Sequence, residues 1–156
     1  MMRRQDREVV QQNEIDAIIE SCDCLRLGLN AEDGAYIVPL NFAYVPGKPA
    51  KFYFHSAKEG RKVSMIGQSA RAGFELDGAH RLGEAETGCK HTYFYQSVIG
   101  TGTVRPVEEP EEKKRALAAI LAHYRKDRAF SFTDEQAQSV AVFCLTVETM
   151  RCKQHS

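Results

Sequence analysis

The sequence predicts a mainly β domain, a small closed antiparallel barrel of about six strands with peripheral helices. Short segments that are alternating, β-branched or aromatic recur along the chain, and short turns with glycine, proline or aspartate join most of them. Pro39, Gly100 and Gly102 interrupt two of these segments, which is typical of strands that bend around a barrel. At 156 residues, 43% of them hydrophobic, the chain fits one core, so we expect a single domain over residues 1–156.

The first half of the chain predicts one helix and three strands. In residues 13–22, three isoleucines and Cys22 follow the i, i+3, i+4, i+7 spacing of one helix face, with Asn13 as the N-cap. Pro39 removes a hydrogen-bond donor from the second strand, so we expect a sheet edge, a bulge or a ligand there. The three predicted strands are residues 24–30, 36–45 and 51–56.

The second half predicts three helices and three more strands. Pro110 stands at a first-turn position and opens the longest helix. Residues 77–90 combine glycines with charged side chains, so we expect an exposed loop; the role of the wider segment 77–92 stays open. The predicted helices are residues 58–68, 110–125 and 133–138, and the predicted strands are residues 71–76, 93–107 and 140–147.

The charge balance and hydropathy exclude several classes of protein. Lys and Arg total 21 and Asp and Glu total 21, so the net charge is zero, whereas a dedicated nucleic-acid binder carries a basic excess. No apolar run reaches the roughly 18–20 residues that span a bilayer. The charged residues 1–8 are not followed by the hydrophobic core of a signal peptide. We therefore expect a cytoplasmic protein with neither a nucleic-acid nor a membrane partner.

The cysteines and most histidines lack the spacing of a metal site. Of five cysteines, only Cys22 and Cys24 lie close together, and zinc sites usually need a second ligand pair. We therefore expect no metal, and we interpret this pair as small buried residues between a helix and a strand. Four histidines without partner spacing are expected at the surface: His80, His91, His123 and His155.

The segment 52–62 carries the clearest chemistry. A strand ends at Ser56, a turn of small residues follows, and the next helix begins with Arg61 and Lys62. Backbone N–H groups, a hydroxyl and two cations together favour a phosphate, which Arg61 can contact with two bonds. The alternative is a solvated basic helix start in which Ser56 is a local cap, and spacing alone leaves both interpretations open.

Several motifs in order give the sequence a family resemblance. These are Tyr36-Ile37-Val38-Pro39-Leu40-Asn41, Phe54-His55-Ser56 and Arg61-Lys62, supported by Arg26-Leu27-Gly28 and Tyr95-Gln96-Ser97-Val98-Ile99-Gly100. Together they resemble the FMN-binding pattern of the pyridoxamine 5′-phosphate oxidase-like split-barrel flavoproteins, and most of all the nitroimidazole-resistance (Nim-type) group. The similarity runs from about residue 2 to residue 147.

The resemblance implies a six-stranded antiparallel split β-barrel that binds FMN as a homodimer, with the cofactor at the subunit interface. The strand equivalent to residues 36–41 lies along the flavin ring in such proteins, and Ser56, Arg61 and Lys62 match the phosphate-binding positions. His55 falls between the ring and the phosphate, and Ser97 reaches the cofactor from the neighbouring subunit. The strand residues that would offer main-chain groups to the ring are Val38, Pro39, Leu40 and Asn41.

The expected activity is an FMN-dependent oxidoreduction that passes electrons to a small planar acceptor, nitroaromatic or quinone-like. His55 either donates a proton, since histidine titrates near neutral pH, or packs against the ring, and both roles stay open. The alternatives are a flavin carrier or sensor without turnover, or a pyridoxamine 5′-phosphate oxidase-like enzyme. The last fits less well because the chain has no tryptophan and residues 151–156 lack the oxidase's C-terminal Arg/His cluster. Replacement of FMN by another flavin, a deazaflavin or haem stays open.

Overall fold

Eight strands form one sheet in the computed structural model, which describes residues 5–156. Residues 1–4, which include the start of the charged segment 1–8 and of the family resemblance, lie outside the described residues. The strands are β1 Glu8–Val9, β2 Leu25–Ala31, β3 Gly34–Leu40, β4 Ala43–Val45, β5 Lys51–Ser56, β6 Ala70–Gly83, β7 Thr92–Pro106 and β8 Ala141–His155. The helices are α1 Gln12–Ser21, α2 Arg61–Ile66, α3 Pro110–Tyr124 and α4 Asp134–Gln138, with short 3₁₀ turns at Gln5–Arg7 and Gly88–Lys90.

Every strand pairing in the sheet is antiparallel, and the order is β3-β2-β6-β7-β8-β5-β4, with β1 beside β8. The two end strands, β3 and β4, follow each other in the chain and are joined by Asn41 and Phe42. Because the chain passes directly from one end of the sheet to the other, the sheet coils around the core. The predicted mainly β split barrel is therefore confirmed.

The predicted count of about six strands was wrong: the sheet has eight. The two additional strands, β1 and β4, are short and are defined by pairing with distant parts of the chain or by a break in a longer predicted strand. The predicted strand 36–45 is two strands, since the chain leaves the ladder at Asn41 and buries the Phe42 side chain completely. The Phe42 N–H then donates to the Tyr124 hydroxyl at 3.2 Å. At the other end of the chain, Glu8 and Val9 pair with Lys153 and Cys152.

The first half of the segment 77–90 is strand, which corrects the expected loop there, whereas its expected exposure is confirmed. β6 continues to Gly83 and pairs with β7, with an irregularity between Gly78 and Arg81. The side chains beyond Gly78 are mostly exposed because the β6–β7 hairpin extends past the core, so their polarity resembled that of a loop. β8 also runs to His155 rather than to residue 147, since its second half pairs with β7.

Two groups of buried side chains stabilise the sheet. The main core lies inside the coil and is dominated by phenylalanines and by the leucines of β2, including Phe42, Phe52, Phe54, Phe74 and Phe143. A second cluster packs α3 and α4 against β8 on the other face: Val107, Ala116, Leu117, Ala137, Val142 and Cys144. Along residues 5–156, none of the helices is both long and apolar enough to cross a membrane.

Cys22 and Cys24 lie in different environments. Cys22 is buried and its Sγ lies 3.3 Å from the Ile18 carbonyl oxygen, whereas Cys24 is only half-buried. Burial, together with Asp77 and Glu75, raises the pKa of the Cys22 thiol to about 11. Cys22 is therefore a protonated packing residue at neutral pH.

Candidate functional site

The end of β3 presents a mixed set of side chains at an edge of the sheet. Val38 is half-buried against the core and Leu40 is buried, whereas Pro39 and Asn41 are exposed. Pro39 lies opposite Arg26 of β2, the only strand paired with β3 in the described chain. The missing N–H of Pro39 therefore falls on an edge strand, one of the three settings that its position predicted.

His55 lies near the end of β5 and faces away from the main core. Phe52 and Phe54 point inward and are fully buried, so the alternation of the strand turns His55 towards α3 and α4. Its neighbour across the ladder is Val142 of β8. This direction brings His55 into the same cavity as Asn41, which lies in the connection between β3 and β4.

The cavity between the sheet and the two helices has a volume of about 510 Å³ and apolar walls. Four of its lining residues are polar, and no Asp, Glu, Lys or Arg of residues 5–156 lines it. Its apolar residues are Leu117, Ile120, Leu121, Tyr124, Phe132 and Val140, and its polar residues are Asn41, His55, Gln136 and Ser139. Such a lining suits a small, uncharged organic molecule that is largely apolar.

The cavity wall is held in place by contacts at both ends of the helical segment. Lys113 of α3 is buried, and its ammonium group donates to the Val140 carbonyl at 2.9 Å. α4 begins with a capping box in which Thr133 and Gln136 bond each other's backbone N–H groups. The cap uses the Gln136 side-chain oxygen, so the amide nitrogen stays available to the cavity.

The turn that follows β5 concentrates positive charge beside His55. Gly60 precedes α2 with a φ of 134°, a conformation that favours glycine. Lys62 is half-buried, and burial lowers the pKa of its ammonium group. Among the described residues no carboxylate pairs with Lys62. Desolvation and then the Lys62 charge lower the pKa of His55, which is therefore neutral at neutral pH.

Arg61 and Ser56, the other predicted phosphate-binding side chains, make local contacts in this structure. The Arg61 guanidinium contacts Asp33 at 2.7 Å and lies 4.7 Å from the centre of the Tyr36 ring. The Ser56 hydroxyl donates to the Ala57 carbonyl at 2.7 Å. The structure thus places His55 in one cavity with Asn41 and close enough to Lys62 to feel its charge, while Arg61 faces the β2–β3 turn.

Ser97 lies on the outer face of the sheet, apart from the cavity. Its neighbour Val98 is fully buried, so the alternation of β7 directs Ser97 outward, opposite Asp77 of β6 and Lys153 of β8. Within one chain, Ser97 therefore does not join the other predicted site residues.

Sequence reasoning missed His123 and Tyr124 at the end of α3, and the expectation of a surface position for His123 was wrong. The His123 side chain is only 4% exposed, and its Nε2 lies 2.7 Å from the Cys22 carbonyl oxygen. Its ring centre lies 4.4 Å from that of Phe42. The available signal was helical spacing, because His123 follows Ile120 by three positions on the apolar face of α3.

Comparisons with known proteins agree with this architecture. A family model described as pyridoxamine 5′-phosphate oxidase matches residues 11–154. Among solved structures, a candidate 5-nitroimidazole antibiotic resistance protein from Bacteroides thetaiotaomicron is 29% identical, with a TM-score of 0.79 over 94% of this chain and 86% of that chain. A comparison with curated proteins gave no significant match.

Two further solved structures share the fold at lower identity. A FAD and haem binding protein from Mycobacterium smegmatis is 12% identical, with a TM-score of 0.80 over 96% of this chain and 74% of that chain. The flavocytochrome Anf3 from Azotobacter vinelandii is 15% identical, with a TM-score of 0.78 over 100% of this chain and 72% of that chain. At these identities the likeness concerns the fold alone.

Proposed function

Because the chain belongs to the pyridoxamine 5′-phosphate oxidase family, we propose that it is an FMN-dependent oxidoreductase that reduces small, neutral, planar acceptors. The observation that carries this proposal is the convergence of Asn41 and neutral His55 in an uncharged, apolar cavity beside the unpaired Lys62 charge. The B. thetaiotaomicron relative supports a nitroaromatic acceptor, and a quinone-like compound has the same shape and neutrality.

The residues around the β5–α2 turn fit a flavin phosphate. Lys62 supplies a half-buried cation that forms no ion pair with a carboxylate of residues 5–156, and the Ser56 hydroxyl stands at the start of the turn. Arg61 can join them, because its ion pair with Asp33 is exposed and such pairs contribute only about 0–1 kcal/mol. A charge-assisted hydrogen bond contributes about 1.5–3 kcal/mol, so a phosphate competes well for Arg61.

We further propose that the ring of the cofactor lies at the end of β3. Main-chain groups of Val38, Pro39, Leu40 and Asn41 would contact its polar edge, next to the mouth of the cavity. When bound, the flavin supplies the redox chemistry, taking electrons from a donor such as a reduced nicotinamide and delivering them to the acceptor. The walls of the cavity exclude water from the acceptor, and Asn41 and His55 orient it.

A neutral acceptor is favoured over phosphorylated vitamin B6 by the composition of the cavity. A phosphate placed there would lose its water without gaining a cation, since no charged side chain of the described chain lines the walls. His55 is neutral at neutral pH and so adds no positive charge. This separates the proposed activity from that of a pyridoxamine 5′-phosphate oxidase.

We propose that the partner is a second copy of the chain, bound through the outer face of β3, β2, β6 and β7. Ile37 of β3 and Ile99 of β7 are 64% and 55% exposed on this face, so a second copy packed there would bury two large aliphatic side chains. A groove of about 330 Å³ next to Ile37 is lined in part by Gly28 and Gly73, which allow close approach. Ser97 lies on the same face, which is consistent with its expected contact to the cofactor of the other subunit.

A spectroscopic titration tests the proposed function. The purified protein is titrated separately with FMN, FAD and haemin, followed by visible absorbance and flavin fluorescence. We expect FMN to bind in preference to FAD, because the cations Arg61 and Lys62 of the β5–α2 turn match one phosphate. Haemin binding with a Soret band and no flavin binding would contradict the cofactor assignment.

Turnover is tested with the reconstituted protein reduced under anaerobic conditions. Metronidazole and menadione represent the neutral acceptors, and pyridoxamine 5′-phosphate with oxygen represents the oxidase activity. We expect the neutral acceptors to reoxidise the bound flavin faster than free reduced FMN. Rates equal to those of free FMN would favour the alternative of a flavin carrier or sensor.

A further inference from the structure

The junction between β3 and β4 is held from two sides by consecutive residues at the end of α3. The Tyr124 hydroxyl accepts from the Phe42 N–H at 3.2 Å and donates to the Asp23 carbonyl at 2.8 Å. His123 packs its ring against the Phe42 ring and contacts the Cys22 carbonyl. The junction is thereby tied to the end of α1 and to the end of α3.

Phe42 is the residue directly after Asn41, where the proposed flavin-binding strand ends. Its ring is fully buried and therefore fixed in the core. A movement of its backbone N–H would thus displace the neighbouring Asn41 rather than the core. The Tyr124 hydroxyl is the contact that fixes this N–H outside the strand ladder.

Tyr124 also belongs to the wall of the cavity. It lines the space with Leu117, Ile120 and Leu121, all from α3. A molecule that fills the cavity therefore touches the same helix that fixes the end of β3, and one side chain takes part in both contacts.

We propose that Tyr124 is a positioning residue that couples occupation of the cavity to the affinity of the β3 edge for flavin. This inference rests on the proposed function. An occupant packed against α3 restricts the Tyr124 ring, which holds the Phe42 N–H and thus Asn41 in the flavin-binding position. Because coupling between two sites is reciprocal, a bound flavin raises the affinity of the cavity for its occupant by the same factor.

The test compares Tyr124→Phe with Tyr44→Phe. The Tyr44 hydroxyl donates to Asp16 at 2.7 Å and also ties the sheet to α1, but Tyr44 does not line the cavity. Each change removes a hydrogen-bonded hydroxyl and keeps the ring, so both variants should lose thermal stability. The FMN dissociation constant is measured by fluorescence with and without saturating benzamide, a neutral planar molecule that flavin does not reduce.

We expect benzamide to tighten FMN binding to the wild type and to Tyr44→Phe by the same factor. Tyr124→Phe should bind FMN about threefold to tenfold more weakly, the range for one lost hydrogen bond, and should show no benzamide effect. His123→Gln, which keeps a donor for the Cys22 carbonyl but loses the ring contact with Phe42, should reduce the benzamide effect. If Tyr124→Phe does not fold, His123→Gln tests the coupling in its place.

Two results would overturn the inference while leaving the proposed function intact. One is a wild type that binds FMN with an affinity independent of benzamide. The other is a Tyr124→Phe variant with wild-type FMN affinity and wild-type coupling. A wild type that binds no flavin would end the proposed function, and the inference with it.

Discussion

Arg61 donates a 2.7 Å hydrogen bond to Asp33, a residue 28 positions earlier at the tip of the β2–β3 hairpin. The pair is exposed, so solvent weakens it, and it competes with a phosphate for the guanidinium. Asp33 therefore opposes flavin binding at the site where Arg61 and Lys62 are proposed to hold the cofactor.

The first prediction concerns this competition. Replacing both Arg61 and Lys62 by Ala should weaken FMN binding by several kcal/mol, since each charge-assisted bond contributes about 1.5–3 kcal/mol. Lys62→Ala alone should cost more than Arg61→Ala, because Arg61 must first leave Asp33. Asp33→Asn should strengthen binding by up to about 1 kcal/mol.

Fluorescence titrations with FMN measure these affinities, and Arg71→Ala is the matched control. Arg71 is an exposed arginine on β6 whose ion-pair partner is Glu148 of β8 and not a residue of the β5–α2 turn, so its loss should not change FMN affinity. Wild-type affinity in the double variant would leave Arg61 and Lys62 as solvated surface charges.

The second prediction follows from the neutral state of His55. Desolvation and the Lys62 charge lower its pKa, so the protonated form is present only in acid. If His55 donates the proton, acceptor reduction should fall as pH rises through this lowered pKa, and His55→Asn should abolish that pH dependence. Lys62→Met should raise the pKa of His55 and move the fall to higher pH.

The rate of flavin reoxidation by metronidazole, measured from acid to neutral pH with saturating FMN, gives the profile. A profile unchanged in His55→Asn would assign His55 to packing against the ring. The same pKa affects stability: the unfolded chain binds the proton more readily, so this contribution is complete above the ordinary histidine pKa and is lost as pH falls through the lowered one.

Local patterns were enough to predict the barrel class and most strands. Alternating leucines and aromatic residues place one face of β2 and β5 in the core, and this alternation needs no partner to be recognised. The extension of β6 to Gly83 has no such signal, because its side chains are mostly exposed and only pairing with β7 defines it as a strand.

Local alternation also predicted part of the site. Periodicity places His55 on the face of β5 opposite Phe52 and Phe54, but its meeting with Asn41 depends on how α3 packs over β5 and the junction between β3 and β4. The Arg61 contact with Asp33 and the burial of His123 involve partners 28 and 101 residues away in sequence, which local patterns do not encode.

The third prediction concerns the proposed homodimer. Ile37→Lys combined with Ile99→Lys places two like charges on the outer face of the sheet, where burial against a second copy would be costly. We expect a monomer, with weaker FMN binding because Ser97 no longer reaches the partner's cofactor. Analytical ultracentrifugation of wild type and variant measures the oligomeric state.

Val45→Lys provides the comparison for this variant. Val45 is 40% exposed on β4, at the opposite edge of the sheet, so the charge should leave the dimer intact. A monomeric wild type, or a dimer that survives both isoleucine substitutions, would contradict the assignment of this face.

The fourth prediction concerns the stability of the bend in β7. A Cβ added at Gly100 would overlap the Thr149 carbonyl oxygen and the Phe74 ring. The carbonyl belongs to β8, opposite β7 where the register shifts between Thr101 and Gly102, and the ring lies in the packed core, so neither can move cheaply. Gly100→Ala should therefore destabilise the fold by about 1–3 kcal/mol, and lower the Tm by about 2–12 °C.

Gly88→Ala tests whether this loss is specific to the bend. A Cβ at Gly88 meets no atom within 4 Å, and its backbone angle requires no glycine, so the change should stay within about 0.5 kcal/mol. Thermal unfolding followed by circular dichroism measures both variants. Equal Tm values for Gly100→Ala and Gly88→Ala would mean that β7 and β8 separate easily at this point. The absence of a side chain at Gly100 would then not determine the curvature of the barrel.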